Sequence, residues 1–555
     1  MYSPIVIHNN NINYGELEQI SFNTEENVDK SIMSLLADID KDYEYDVLII
    51  KDSLSMNYLD FYGLLLAHHI RLSESFRGKY CPILIVSDLD VLQLNKLTPL
   101  ARILFTKGIY LTNNNINSIK CLLNEELLTI NDKIIAEDFL EKISIEPPSN
   151  YESSHSIANE WSIYQWSKAL IDMEDIVNDT DNMLYFKYLK TKFSEETNNK
   201  LSTSKFVKNL KGKVLYIDDE WEKGWNKILD NILKLGDDYQ YLDSINKETD
   251  KDNIQELAIE KVKSFNPDVV LLDLRLHDSD FIEDNPEKLT GIQILKSIKA
   301  INQGIQVIVF TASEKSLILE KALSLGALGY IKKEHPDSYN LSIEENITNL
   351  IELVFKGFDQ AYLKEVYKIT SYLLLELKAN PFTQYGIVFP NENKEEINYL
   401  ALLKNNIDYI FIILNTTMQN RYNYAMVSIA TSLETIVKVF LYEKVKNDHL
   451  YFWDDRPVRS LNEKSPLQMK IDEIIDTRLG NTENIKLGKL IEYRNAYMHS
   501  NKNIDDITKD KILNWLEIYK TIITIICKPK KYRKYEETKL KEINPNSRMK
   551  IKKRS

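Results

Sequence analysis

The sequence is poor in cysteine, glycine, proline and long apolar runs, and each shortage closes off a class of explanation. Cys81, Cys121 and Cys527 are its only cysteines, with no CxxC spacing. Neither a disulfide framework nor a Cys-based zinc site fits such a set, which suits a reducing compartment. Fifteen glycines and fourteen prolines in 555 residues are too few for a collagen-like or Gly/Pro-rich chain. The most apolar stretches, such as Thr521–Cys527, fall well short of the ~20 residues that span a bilayer. Met1 is not followed by the basic flank and apolar run of a signal peptide. The eight histidines are scattered, with no metal-binding spacing. The expectation is a cytoplasmic protein without membrane contact.

What is present is charge, unevenly spread. There are 83 acidic and 70 basic side chains, a formal net charge of −13, with 43% hydrophobic and 28% charged residues. That balance belongs to a folded chain rather than a disordered one, and the length predicts three or four domains. Overall acidity argues against a general nucleic-acid coat. Yet Lys528–Ser555 holds twelve Lys or Arg against three Glu, net +9, which leaves −22 on the remainder. Such a run is either a solvated extension or a flexible phosphate-binding arm.

From Lys213 the sequence KVLYIDDE reads as a buried strand ending in three carboxylates. NPDVVLLDLRL (266–276), ending its apolar run at Asp273, reads as a second strand, IQVIVFTAS (305–313) as a third, and LGALGYIKK (325–333) as a fourth. Amphipathic helical stretches separate them. Apolar strands alternating with helices predict a doubly wound parallel sheet, with ligands bound beyond the C-terminal strand ends.

Residues 209–355 resemble the receiver domain of two-component response regulators, through separated motifs in the family's order. The resemblance implies that Asp273 is the phosphoacceptor and that Asp218 and Asp219 are the acidic pair which, with Asp273, holds Mg2+. It further implies that Thr311 is the hydroxyl contacting the phosphoryl group, Lys333 the family's lysine and Tyr330 the aromatic switch position. The chemistry agrees: converging carboxylates call for a hard cation with oxygen ligands, and a metal and an ammonium together offset charge on an incoming phosphoryl group. Two departures stand out. The loop HDSDFIEDNPEKLT (277–290) is longer and more acidic than the family's, and either orders around the site or shields it. Glu334 stands where many members have Pro.

The first 130 residues repeat the pattern. YDVLIIKDSL (45–54) parallels PDVVLLDLRL, Gly63 parallels Gly291, and PILIVSD (82–88) parallels the third strand. In this register Lys51 replaces the acceptor, His8 and Asn9 replace the acidic pair, Thr112 falls near the lysine position, and only Ser87 keeps its counterpart's chemistry. This predicts a pseudo-receiver, since Lys can neither form an acyl phosphate nor bind Mg2+. A shifted register with Asp52 as acceptor, and an unrelated α/β domain, remain open. Between the copies, 151–206 reads as helical, and His155, Asn159 and Trp161 read as packing and hydrogen bonding rather than as a site.

Beyond residue 355 long helical periodicities take over, in KEVYKITSYLLLELK, INYLALLKNNIDYIFIILNTT, RYNYAMVSIATSLETIVKVFLYEKV and IKLGKLIEYRNAYMHSN. In the last, Leu487, Ile491, Asn495 and His499 form one ridge, and Leu490 and Arg494 the next. An Arg on a core-facing stripe needs an anion or a buried partner, and His carries protons near neutrality. The R-N-x-x-x-H motif of Arg494, Asn495 and His499, after a helix containing Leu433 and Glu434, resembles the HEPN family of helical domains. That resemblance implies a homodimer and metal-independent RNA cleavage, with His499 as general acid or base and Arg494 stabilising charge.

The predicted fold class is thus α/β plus all-α: two doubly wound, flavodoxin-like parallel-sheet domains and a C-terminal helical bundle. The expected organisation is a pseudo-receiver at 1–135, a helical connector at 136–208, a receiver at 209–355, a HEPN-like output at 356–530 and a basic tail at 531–555. The expected partners are a histidine kinase or phosphotransfer protein, an RNA substrate and a second copy of the chain. The competing expectation is a non-catalytic adaptor or phosphate sink whose helices only dimerise or dock a partner.

Overall fold

The computed structural model describes residues 2–9, 14–24, 27–147, 154–171, 173, 183–193, 211–245, 249–312, 315–335, 342–378, 387–388, 397–443, 450–452, 457–458, 461–462, 464–479, 485–500 and 507–527. The basic tail and the side chains of His155 and His499 lie outside the description.

Two five-stranded, all-parallel sheets form the first two-thirds of the molecule. In the first, β1 (Pro4–His8), β2 (Glu18–Ser21), β3 (Val47–Lys51), β4 (Ile83–Val86) and β5 (Ile109–Thr112) lie in the order 2-1-3-4-5. In the second, β6 (Val214–Ile217), β7 (Tyr239–Tyr241), β8 (Val269–Leu272), β9 (Gln306–Thr311) and β10 (Gly329–Lys332) repeat that order. It is the flavodoxin-like winding.

The central strands are buried on both faces, as their unbroken apolar runs require. Alternation by two divides each strand between faces: Ile5, Ile7, Leu48 and Ile50 pack on one side of the first sheet, and Val6, Val47 and Ile49 on the other. The first sheet carries helices α1 (Val28–Asp42), α2 (Tyr62–Leu72), α3 (Val91–Leu97) and α4 (Ile116–Leu123).

Helix α5 (Ser154–Ala169) mixes polar and apolar residues but buries side chains on more than one face, because it serves two cores. Ile157 and Trp161 pack into the first domain, Ile163, Trp166 and Leu170 into the second. Helix α6 (Leu184–Lys192) returns to the first domain, burying Leu184, Phe186 and Leu189. The second sheet carries α7 (Trp225–Leu233), α8 (Lys251–Phe265), α9 (Thr290–Ile301), α10 (Ser316–Ser324) and α11 (Ile343–Asp359).

Two glycines fix the same close approach in both copies. A Cβ on Gly63 would sit 1.8 Å from the Lys51 carbonyl oxygen, and one on Gly291 2.2 Å from that of Asp273. Each lies in the first turn of the helix after the central strand, and each donates its N–H to the carbonyl one residue beyond that close contact, Asp52 or Leu274.

The C-terminal region is largely helical: α12 (Leu363–Glu376), α13 (Tyr399–Leu414), α14 (Arg421–Phe440), α15 (Leu467–Leu479), α16 (Leu490–Ser500) and α17 (Lys509–Cys527). They enclose one core that includes Leu373, Ile410, Leu433, Ile475, Leu490 and Ile523. The long periodicity beginning at Arg421 stops earlier than its sequence suggests. After Phe440, Leu441–Glu443 pairs antiparallel with Leu450–Phe452, which pairs with Pro457–Val458. The backbone register sets Leu441 opposite Phe452 and Glu443 opposite Leu450. Helix α12 docks under the second sheet, where Lys364 Nζ lies 2.8 Å from Asp268 Oδ1 and from the Pro267 carbonyl.

Candidate functional site

The strand ends of the second sheet bring the predicted residues together. Asp218 and Asp219 follow β6, Asp273 follows β8, Thr311 ends β9 and Lys333 follows β10. Asp218, Asp273, Thr311 and Lys333 are buried almost completely. Lys333 Nζ donates to Asp218 Oδ2 at 2.6 Å and to Asp273 Oδ2 at 3.1 Å. The other Asp273 oxygen accepts from the backbone N–H of Leu274 at 2.5 Å and of Arg275 at 3.3 Å. Asp218 also accepts from Tyr216 OH and from Glu220 N.

The electrostatics follow from burial. Dehydration raises the Asp218 carboxyl, opposed by the Lys333 ammonium. Asp219 is pushed up to about 9 by burial and then by the charges of Asp218, Glu220 and Asp273, and its Oδ1 is buried without a hydrogen-bond partner. Burial opposes the charge on Lys333, yet Asp218 and Asp273 outweigh it and its pKa rises. A buried cation shared by two carboxylates is stable only as a set.

This donor chemistry suits a hard divalent cation. An orphaned oxygen on Asp219 amid mutually repelling carboxylates is what such an ion would satisfy. Asp218, however, is turned to Lys333 and Tyr216, and among the described residues no three His, Cys, Asp or Glu are arranged to hold a metal.

Tyr330 is 46% exposed on β10, outside this cluster. The acidic loop is anchored rather than loose. Buried Asp280 accepts from Leu276 N at 3.1 Å, Thr290 N at 3.2 Å and Lys251 Nζ at 2.7 Å. Asp284 pairs with Lys315 at 2.7 Å, and Glu287 with Lys296 and Lys321. Glu334 is raised to about 7 by burial and accepts from Asn346 Nδ2 at 2.5 Å.

Strand registers superpose the first copy on the second. Ile7 pairs with Ile50 as Ile217 pairs with Leu272, so His8 and Asn9 stand at Asp218 and Asp219, and Lys51 at Asp273. Val86 pairs with Thr112, and Phe310 with Ile331, which sets Ser87 at Thr311. One expectation changes. Thr112 corresponds to Ile331, and the residue at the Lys333 position is Asn114. Asp52, one residue past the acceptor position, is buried and accepts from Ser87 Oγ at 2.5 Å and Ser53 N at 2.8 Å. Burial lowers the His8 imidazole, with Lys51 adding to the effect.

In the helical region α16 carries the predicted motif. Arg494 Nη2 lies 2.6 Å from Glu434 Oε1 on α14, and Arg494 Nη1 donates to Asn495 Oδ1 at 2.9 Å. Sequence reasoning treated Glu434 only as context, and its pairing with Arg494 is a long-range feature no local pattern reveals. Residues 159, 220 and 225 also gained significance only in three dimensions: Asn159 donates to Glu220 Oε2 and accepts from Trp225 Nε1, each at 2.5 Å.

Comparison with known proteins agrees with both sheets. A family model described as an inactive receiver domain matches residues 3–112, and one described as a response regulator receiver domain matches 214–341. The sporulation initiation phosphotransferase F of Bacillus subtilis is 31% identical over 121 residues, 22% of this chain and 81% of that protein. Among solved structures, a LuxR-family two-component response regulator from Aurantimonas shares 18% identity over 26% of this chain and 86% of its own, at a TM-score of 0.18. The signal receiver domain of a modulated diguanylate cyclase from Desulfovibrio desulfuricans shares 19% identity over 26% of this chain and 96% of its own, at a TM-score of 0.18.

Proposed function

Since the chain belongs to the response regulator receiver family, we propose that Asp273 accepts a phosphoryl group from a histidine kinase or phosphotransfer protein in the cytoplasm. The observation that carries this reading is the buried Lys333 ammonium shared by Asp218 and Asp273 at the strand ends. In the transfer, an Asp273 carboxylate oxygen forms the new P–O bond as the donor's N–P bond breaks, and the donor imidazole leaves and takes a proton. Lys333 offsets charge on the phosphoryl oxygens, and the Leu274 and Arg275 N–H groups hold the second carboxylate oxygen in place. Thr311 supplies the hydroxyl for the phosphoryl group, and Tyr330 the aromatic side chain that responds. Asp218, Asp219 and Asp273 would hold Mg2+, which supplies further charge neutralisation when bound. A small-molecule phosphodonor with Mg2+ should add one phosphate to the wild type, read by intact mass; equal labelling of Asp273→Asn would refute the assignment.

The proposed output is the helical region, cleaving RNA without metal in a homodimer. His499 would move the proton, and Arg494, held by Glu434 and beside Asn495, would face the phosphate. A role in stress or antiphage defence is analogy with the HEPN family. The second reading, a non-catalytic adaptor or phosphate sink, draws support from the Arg494–Glu434 ion pair, which already occupies the guanidinium. The two diverge in an RNA-cleavage assay in chelator: cleavage that His499→Ala abolishes supports the nuclease, and absence of cleavage with and without beryllofluoride supports the adaptor.

A further inference from the structure

Helix α5 meets the acceptor site on one side and the inactive copy on the other. Asn159 is fully buried, with its amide spanning Glu220 and Trp225. Glu220 immediately follows Asp219. Lys223 adds a second tie, lying 2.9 Å from Glu160 of α5 and 2.8 Å from Glu220. The Trp225 ring meets Phe310, the neighbour of Thr311, edge-on at 4.7 Å and Trp166 of α5 at 5.2 Å. The Lys333 ammonium lies 5.6 Å from the Trp225 ring centre. Ser162 Oγ donates to the carbonyl of Glu334, the residue after Lys333, at 3.0 Å. The helix therefore touches the chain neighbours of Asp219 and Lys333 directly, and reaches the neighbour of Thr311 through the Trp166 ring, 5.9 Å from Phe310.

The opposite side of α5 is equally committed. Ile157 and Trp161 are buried in the first domain's core, and Trp161 packs edge-on against Phe193, just past α6, at 6.0 Å. Interiors packed to this density do not absorb a displaced ring or carboxylate locally. A rigid helix with both faces engaged passes the displacement on, and the coupling acts equally in reverse.

We infer that the inactive copy is an intramolecular regulatory partner of the Asp273 site, coupled to it through α5 by Asn159 and Trp166 on one side and Ile157 and Trp161 on the other. The inference rests on the reading of Asp273 as acceptor. It gives the first domain a task that needs no phosphate of its own: it sets how readily the second domain enters its phosphorylated conformation, and it senses that conformation. Asn159 is a positioning residue in this scheme, acting on the site through Glu220 and Trp225.

The test is hydrogen exchange by mass spectrometry on the full chain, with Mg2+ and with or without beryllofluoride. In wild type, exchange should change around Asp273, along 157–170, and in α6 and α2 of the first domain. In Asn159→Ser and in Asn159→Asp, the response around Asp273 should persist while that of the first domain is lost. Reciprocally, Trp161→Phe, which alters only the side turned from the receiver, should change the initial rate of labelling by a small-molecule phosphodonor about threefold, the scale of a fraction of one buried contact. A wild-type response confined to the receiver, or first-domain responses unchanged in both Asn159 variants, would overturn the coupling. Responses identical in Asp273→Asn would instead overturn the acceptor reading, and the coupling with it.

Discussion

The two sheets of this chain share a strand order, a register and a glycine wedge, yet they differ at almost every position where chemistry would occur. Asp218, Asp219, Asp273 and Lys333 in one copy face His8, Asn9, Lys51 and Asn114 in the other, with only the hydroxyl of Thr311 kept, as Ser87. The fold depends on apolar strands buried on both faces and on Gly63 and Gly291, which lie where any Cβ would strike a strand carbonyl. The charged residues at the strand mouths are not needed to build it. One copy gathers three carboxylates and an ammonium at a cost in stability, and the other keeps only Lys51 as a charge at the equivalent positions, with His8, Asn9 and Asn114 at the rest.

The largest test of this contrast removes the cation. Lys333→Met would leave Asp218 and Asp273 buried without their shared partner, and breaking a buried ion set costs about 3–5 kcal/mol. Thermal unfolding of the receiver should fall accordingly, and phosphodonor labelling should vanish. The matched change Asn114→Ala removes only an acceptor 3.3 Å from Tyr14 OH, and a single neutral hydrogen bond is worth about 1 kcal/mol. Equal losses in the two variants would show that the buried charge is no special feature of the second copy.

The next test reverses the sign. Asp219 has a folded-state pKa of about 9, well above its ordinary carboxylate value. The folded state therefore holds a proton that the unfolded state releases, and stability falls as pH rises from the carboxylate range to about 9. Asp219→Asn, which copies Asn9 of the first domain, should raise the metal-free unfolding midpoint at neutral pH and flatten its decline across that window. Mg2+ should stabilise wild type by binding the folded state and have little effect on the variant. A lower midpoint for Asp219→Asn at neutral pH would contradict the burial argument.

The same contrast explains what could be read before the structure was known. Strand runs and the spacing of Asp218, Asp219, Asp273, Thr311 and Lys333 are local signals, because a parallel sheet aligns its C-terminal ends whatever fills the loops. Partners distant in sequence gave no such signal. Arg71 is fully buried and donates to the carbonyls of Lys79, Cys81 and Gly108, the last 37 residues away in the chain. Asn159 meets Glu220 because α5 packs over the turn that follows β6, and Arg494 meets Glu434 because α16 packs on α14. The strand after Phe440 was hidden by an apolar run that suits either a helix or a strand, and its pairing with Leu450–Phe452 decided the matter.

The smallest effect concerns the one chemical feature both copies retain. Ser87 donates to Asp52 Oδ2 at 2.5 Å in the buried mouth of the first sheet, while Ser53 N–H holds the other carboxylate oxygen. Burial raises the Asp52 carboxyl, and those two hydrogen bonds oppose the rise. Ser87→Ala removes one of them, at a cost of about 1.5 kcal/mol for a hydrogen bond to an acidic group. It should also raise the Asp52 pKa further. Because a raised carboxyl loses stability as pH climbs towards its folded-state value, the deficit of Ser87→Ala should be small in acid and grow towards neutral pH. Asp52→Asn should remove that pH dependence, since the amide does not titrate. If the Thr311 hydroxyl contacts the phosphoryl group as proposed, Thr311→Ala should still be phosphorylated on Asp273 but should lose the accompanying change in hydrogen exchange of the helical region. A pH-independent loss in Ser87→Ala would mean that the hydroxyl serves packing alone and that the retained chemistry is a relic of the shared fold.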